Sequence, residues 1–296
     1  MHMATEKEPK LIRRACGTMG AHMFLLERYP AFRTRQRRLE NETTRRRALG
    51  FIAAEVKLAK IKVVVNVVYK DPSQNISDAQ INSQIKALNL DFRAKNSDKK
   101  KTPAVWSGLV ADSQVEFELY KVTRTQTAQS SFGADDGVKR TSTGGVAPLN
   151  PSRYLNLWVC ALGGGLLGYA QFPGGPKSTD GVVINYRAFG TMGTAQSPFN
   201  KGRTATHEVG HYLNLRHIWG DTEDCSGSDL VADTPNCAGP NFEKPTFPKV
   251  SCNNGPSGDM FVNYMDYVDD AAMFMFTPQQ VSRMRTALDG PRRTLW

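Results

Sequence analysis

Three of the five histidines in this chain fall in the stretch THEVGHYLNLRHIWGD, residues 206–221. His207 and His211 are spaced i and i+4, so on a helix they share a face, with Cβ atoms about 5–6 Å apart. Both imidazoles can then reach one metal ion at about 2.0–2.1 Å. Glu208 stands beside that metal, where it can take a proton from a bound water. His217 comes six residues after His211 and does not fit the same helix face, so the chain must turn sharply after Leu213. Asn214 suits that turn, because Asn tolerates the left-handed conformation better than any residue except Gly. Three neutral imidazoles leave a tetrahedral zinc one open position, the mark of a catalytic rather than a structural site. The rival reading, a helix carrying three incidental histidines, leaves the spacing and the adjacent glutamate unexplained.

The elements that must hold this constellation are visible as hydrophobic patterns. IKVVVNVVY (61–69) is β-branched and apolar throughout, which predicts a buried strand. VEFELY (115–120) alternates as a half-buried strand, and LNLWVCAL (155–162) and GVVINY (181–186) read as further strands. Between the first two lies SDAQINSQIKALNLDF (77–92), a helix with Ser77 and Gln80 in capping-box positions and Ile81, Ile85, Leu88 and Phe92 on one face. TPQQVSRMRTAL (277–288) reads as a last helix, with Thr277, Pro278 and Gln280 at its start and Val281, Met284 and Leu288 buried. Strand–helix–strand order predicts an α/β fold with a mostly parallel sheet and crossover helices. The glycine-rich GGGLLGYAQFPGG (163–175) lacks the Gly-Lys-Ser/Thr ending of a phosphate loop. Its segment 165–172 reads as an exposed edge strand, to which an extended peptide could add main chain to main chain through Gly165, Leu166, Leu167 and Gly168.

The ends of the chain differ in charge. Of the net +10, residues 1–50 carry +7 and residues 51–296 only +3, while residues 221–270 carry −8. A nucleic-acid-binding protein with a structural zinc would need its positive charge on the folded body, so this distribution argues against a nucleic-acid partner. The two opposite blocks allow self-docking instead. No apolar run approaches the roughly 20 residues of a membrane-spanning helix, so no membrane partner is expected. No secretory leader is visible, and the opening Met-His-Met reads as a cloning remnant. The Arg-rich stretch 28–47 reads as an exposed linker or cleavable segment. Cys160 lies within a predicted strand and is expected to be an inert buried thiol. Cys225, Cys237 and Cys252 cluster in a Gly/Pro/Asn-rich region where a disulfide would imply an oxidising compartment, and the odd total of five leaves a thiol over.

HEVGHYLNLRH resembles the extended zinc motif of the metzincin metallopeptidases, with Asn214 in place of the usual glycine, and NYMDYVDD (263–270) resembles their Met-turn. The stretches LGGGLLGYAQFPGG, DGVVINY, DLVADTP and NYMDY followed by FTPQQ are similar to the pappalysin family within that group. The resemblance covers roughly residues 60–290 and the region around Cys16. It implies an α+β metzincin-type domain, with a sheet and helices in an upper lobe (49–217) and an irregular lower lobe (218–296) ending in a helix. It implies a zinc endopeptidase acting on protein or peptide substrates, with His207, His211 and His217 on zinc and Glu208 as general base and acid. By the same match Met265 forms the floor under the metal, Tyr267 supports the oxyanion, and Asp270 lies at the base of the pocket for the side chain after the scissile bond. A carboxylate there favours cleavage on the N-terminal side of Arg and Lys. Ser228, Asp229, Val231 and Thr234 would hold a calcium ion. Ala272 stands where a cysteine is expected, which leaves Cys225–Cys252 as the implied disulfide and Cys237 without its partner.

Cys16, in RRACGTMGAH, lies far from the other cysteines in sequence. A thiol is a soft zinc ligand and is deprotonated when bound to metal. Propeptides of pappalysin type resemble this arrangement, which implies that residues 1–48 are a propeptide acting in cis, that Cys16 fills the open zinc position, and that the protein is a secreted zymogen. An enzyme that cuts before Arg would find sites in 28–47, so self-activation is expected. A catalytically inactive relative that keeps the metal is the remaining alternative, and Glu208 and Tyr267 argue against it.

Overall fold

The computed structural model describes residues 11–48 and 57–296. The Met-His-Met start lies outside these residues, as does the chain immediately after the expected propeptide boundary at 48. The described chain opens with two helices, α1 (Thr18–Arg28) and α2 (Pro30–Ala48). A strand, β1 (Ala59–Tyr69), then leads to α3 (Asp78–Phe92), a single turn α4 (Ala104–Ser107) and β2 (Val115–Gln126). The sheet is completed by β3 (Leu155–Cys160), β4 (Gly168–Ala170) and β5 (Val182–Asn185), and is followed by α5 (Arg203–Tyr212). Beyond α5 the chain is mostly irregular, with a two-residue pair, β6 (Phe242–Glu243) and β7 (Tyr267–Val268), and a last helix, α6 (Pro278–Asp289).

The sheet has the order β2-β1-β3-β5-β4, and every pairing is parallel except that of β4 with β5. This is the predicted mostly parallel α/β arrangement of a metzincin-type catalytic domain. Central strands covered on both faces need apolar residues at every position, and Val63 to Val68 of β1 are all buried. The period-two rule divides β3 between the faces. Leu155, Leu157 and Val159 join the core under α3 and α5, whereas Trp158 and Cys160 join a second cluster with Phe132 and Val138. Cys160 is a buried thiol pushed well above its usual range by burial, the inert role expected of it.

Helix α3 buries Ile81, Ile85, Leu88 and Phe92 as its pattern requires, and its N-cap Ser77 accepts from the Gln80 amide at 3.2 Å. The capping box is only half made. The Gln80 side-chain oxygen accepts instead from Thr194 N–H at 3.0 Å, and its nitrogen donates to the carbonyls of Tyr186 and Phe189, tying α3 to the loop after β5. In α6 the box is complete, with Thr277 and Gln280 capping each other. β4 is shorter than the predicted 165–172: Gly165 is left-handed at φ 75° and Leu166 closes a turn back onto Gly163.

The largest departure is at the N-terminus. The stretch 28–47 is not an open linker but the helix α2, packed along α6. Phe32, Gln36, Leu39 and Thr43 form its buried face at i, i+4, i+7 and i+11. Two of the four are polar, so no hydrophobic periodicity betrays the helix. Gln36 donates to the Pro173 carbonyl, Glu40 accepts two hydrogen bonds from Arg283 at 2.7 and 2.8 Å, and Arg46 pairs with Asp289 at 2.6 Å. Helix α1 turns Leu25 inward, where it clusters with Phe32 and Phe172, and ahead of it Leu11 packs with Leu167 and Phe199.

Candidate active site and metal centre

α5 is buried along its whole length and carries His207, Glu208 and His211. It can lie so close to its neighbours because two glycines leave room. A Cβ on Gly168 of β4 would stand 2.9 Å from Glu208 Cγ, and one on Gly210 would stand 2.5 Å from Met265 Sδ. Met265, fully buried, therefore packs directly against the helix at Gly210. After Leu213 the chain reverses through Asn214 at φ 79°, the left-handed turn predicted from its type. That turn brings His217 back to the other two imidazoles.

The three Nε2 atoms converge to within 3.0–3.2 Å of one another. His207 Nδ1 meets the Tyr264 carbonyl at 2.8 Å and His211 Nδ1 meets the Leu215 carbonyl at 2.8 Å. A carbonyl can only accept, so in each ring Nδ1 carries the proton and Nε2 presents a lone pair. His217 Nδ1 lies 2.5 Å from an Asp221 carboxylate oxygen, which imposes the same tautomer, and Trp219 stacks on that ring at 4.4 Å. Burial holds His207 and His211 well below the usual imidazole range, which keeps them neutral. Three lone pairs aimed at one another are repulsive without a cation between them, and their spacing lets one ion at about 2.0–2.1 Å reach all three. The residues therefore fit zinc.

Cys16 completes the cluster. Its sulfur and the three imidazoles bring one donor atom each to within 4.8 Å of one another. The segment around it lies along the open edge of β4: Leu167 N–H donates to the Ala15 carbonyl, and Gly17 N–H donates to the Gly168 carbonyl, each at 2.9 Å. Cys16 and Gly168 form a parallel bridge. Alternate side chains of an extended segment share a face, so Arg14 and Cys16 both enter the cleft, and Thr18, the first residue of α1, joins them there. The Thr18 hydroxyl donates to Glu208 Oε2 at 2.8 Å and accepts from Ala170 N–H at 2.8 Å. Burial pushes the Glu208 carboxyl up to about 7, opposed by its hydrogen bonds from Thr18 and Cys16.

Arg14 is buried among polar and aromatic partners. Its Nη2 donates to Asp270 Oδ1 at 2.7 Å, Nη1 to the Thr204 hydroxyl at 3.1 Å and Nε to the Val268 carbonyl at 3.3 Å, with Phe199 under the guanidinium at 5.1 Å. Tyr267 packs against the His207 and His217 rings at 5.7 and 4.9 Å, and burial raises its hydroxyl well above the usual range. Arg14, Thr18 and Asp221 escaped the sequence reading. Of the three only Asp221 left a signal, a carboxylate four residues past His217.

Cys225 and Cys252 are disulfide-bonded, the pairing implied by the resemblance, and Cys237 is a buried free thiol. In the 225–235 loop, Asp229 accepts from the Thr234 hydroxyl at 2.7 Å and from Val231 N–H at 3.0 Å, while the Ser228 hydroxyl accepts from Leu230 N–H. No helix among the described residues is long and apolar enough to cross a membrane.

The sequence model of the Peptidase M43 family, described as pregnancy-associated plasma protein-A, matches residues 146–289. An extracellular metalloprotease of Arthroderma otae is 32% identical over 237 residues, covering 77% of each chain. Another, of Pyricularia oryzae, is 34% identical over 249 residues, covering 80% of this chain and 77% of its own. Among solved structures, Tannerella forsythia mature mirolysin in complex with a cleaved peptide is 50% identical with a TM-score of 0.80, over 81% of this chain and 96% of its own. A Tannerella forsythia promirolysin mutant is 44% identical with a TM-score of 0.85, over 95% and 97%. With these relatives and this metal cluster, the chain belongs to the M43 pappalysin family of metzincins and is a zinc metalloendopeptidase.

Proposed function

We propose that the chain is the latent form of a secreted endopeptidase that cuts on the N-terminal side of Arg and Lys, held inactive by residues 1–48. The observation that carries this reading is the occupied cleft, with Arg14, Cys16 and Thr18 set against Asp270, the three imidazoles and Glu208. Zinc held by His207, His211 and His217 supplies Lewis acidity, polarising a peptide carbonyl and lowering the pKa of a water toward about 7. Glu208 is the group placed to take that proton and return it to the departing amine. Tyr267 is assigned the oxyanion, to which its hydroxyl can turn once Cys16 leaves. Asp270 is assigned the specificity pocket, and Arg14 is the chain's own example of a basic side chain seated there.

Promirolysin covers 95% of this chain and mature mirolysin 81%, a difference of the size of the N-terminal segment. That supports a propeptide boundary near residue 48, with the two lobes beyond it as the catalytic domain. Extracellular relatives and a disulfide support secretion. Self-activation needs a modification: Arg residues within α2 are helical and cannot be cut in the extended form a strand-edge site accepts until that helix opens. For calcium, bound by Ser228, Asp229, Val231 and Thr234, the support is a buried carboxylate gathered with a hydroxyl and a carbonyl. The retained Glu208 favours an enzyme over an inactive binding relative.

The test is mass spectrometry of products from a denatured protein, using the intact and the proteolytically activated chain with and without a zinc chelator. New N-termini at Arg or Lys, formed by the activated chain and lost with the chelator, are expected. Products with no basic preference, or products unaffected by chelation, would sink the reading.

A further inference from the structure

The two oxygens of Asp270 face different things. Oδ1 receives the Arg14 guanidinium at 2.7 Å, whereas Oδ2 accepts the backbone N–H of Lys201 at 2.7 Å and of Arg203 at 3.3 Å. Those two amides flank Gly202, the N-cap of α5, which is left-handed at φ 77° and has no side chain with which to cap its helix. A helix start leaves amides unpaired, and a carboxylate there satisfies them and suits the positive end of the dipole. Arg203 closes the loop by donating from its own guanidinium to the Asp270 carbonyl at 2.6 Å.

From this point a buried brace runs to the metal ligands. Asp91 of α3 accepts the Thr206 hydroxyl at 2.8 Å and the Tyr264 hydroxyl at 2.9 Å, and lies 3.5 Å from the Arg203 guanidinium. The Tyr264 carbonyl is the group that fixes His207 Nδ1. We infer that Asp270 is a positioning residue for the metal helix as well as the pocket floor. One oxygen reads the substrate's basic side chain while the other holds the start of α5, so recognition and metal geometry share one carboxylate. This rests on the reading of Asp270 as the specificity residue.

Asp270→Asn and Asp270→Ala separate the two roles. Asn keeps an oxygen for the Lys201 and Arg203 amides and puts an NH2 toward the pocket; Ala supplies neither. In the full zinc-loaded chain both variants lose the Arg14 contact, so the difference between them isolates the cap. The Ala variant is expected to melt about 3 °C below the Asn variant and to lose zinc to a chelator about tenfold faster. After proteolytic activation, both should lose preference for Arg over Leu after the scissile bond by about 10- to 100-fold. Failure of Ala to fold beside a folded Asn variant also supports the inference. Equal melting and equal zinc loss in the two variants, or unfolding of both, overturns it. Arg preference surviving in both variants would refute the pocket reading while leaving the helix-capping role to stand on the melting and zinc data.

Discussion

The metal helix α5 and the N-terminal hairpin of α1 and α2 meet at the same cleft but are held by different means. Every residue of α5 is buried between the sheet, α3 and the Met-turn, and its ligands are fixed by main-chain carbonyls that cannot turn away. In α2 only four of nineteen residues are buried, and part of its attachment is made by partly exposed side-chain pairs at its edge, such as Arg46 with Asp289. Partly exposed pairs contribute little stability each, whereas a helix enclosed in a core opens only with the whole domain. The plug can therefore come away while the machine it blocks stays intact. An activatable zymogen needs that division.

Substitution of Glu208 should have the largest effect, confined to chemistry at the metal helix. Glu208→Ala is expected to lower kcat of the activated enzyme by about 10²- to 10⁴-fold, with zinc content and melting temperature near wild type. Peptide assay beside metal analysis checks this, and turnover within a few-fold of wild type would remove Glu208 from the mechanism.

Phe32→Ala should act only on the hairpin. Phe32 is fully buried against His22 and beside Phe172, so its loss is expected to weaken docking by about 3–5 kcal/mol. Hydrogen exchange should show faster opening of α1 and α2, with α5 unchanged. Equal loosening of α5 would mean that the two regions form one cooperative unit.

The smaller effect comes from pH. His22 is buried between Phe32 and Phe172, and its pKa is lowered to about 4, first by burial and then by Arg216, against the opposing charges of Glu40 and Asp221. A histidine whose docked pKa lies below its free value of about 6.5 stabilises docking fully above that value and loses the contribution as pH falls toward 4. The shift corresponds to at most about 3 kcal/mol. Protection of α1 against exchange should fall between pH 6.5 and 4.5, and the fall should be smaller in His22→Phe. A flat profile in the wild type would contradict it.

The same two regions differ in what their sequences reveal. The ligand spacing of α5, the turn at Asn214 and the apolar run of β1 were legible because chemistry or full burial dictates residue type at every step. The hairpin was illegible because its inner face alternates Phe32 and Leu39 with Gln36 and Thr43, and its polar contacts exist only against Pro173, Arg283 and Asp289, remote in sequence. Arg14 and Thr18 escaped for the same reason. Nothing in RRACGTMGAH marks an extended run until the open edge of β4 is there to receive it.

On this reading Cys16 occupies the metal position that catalysis requires. X-ray absorption at the zinc edge of the intact chain tests it directly, compared with full-length Cys16→Ala. One sulfur at about 2.3 Å with three nitrogens at about 2.0 Å is the predicted shell, with the sulfur absent in the variant. A shell without sulfur in the intact chain, or one unchanged by Cys16→Ala, would contradict the account.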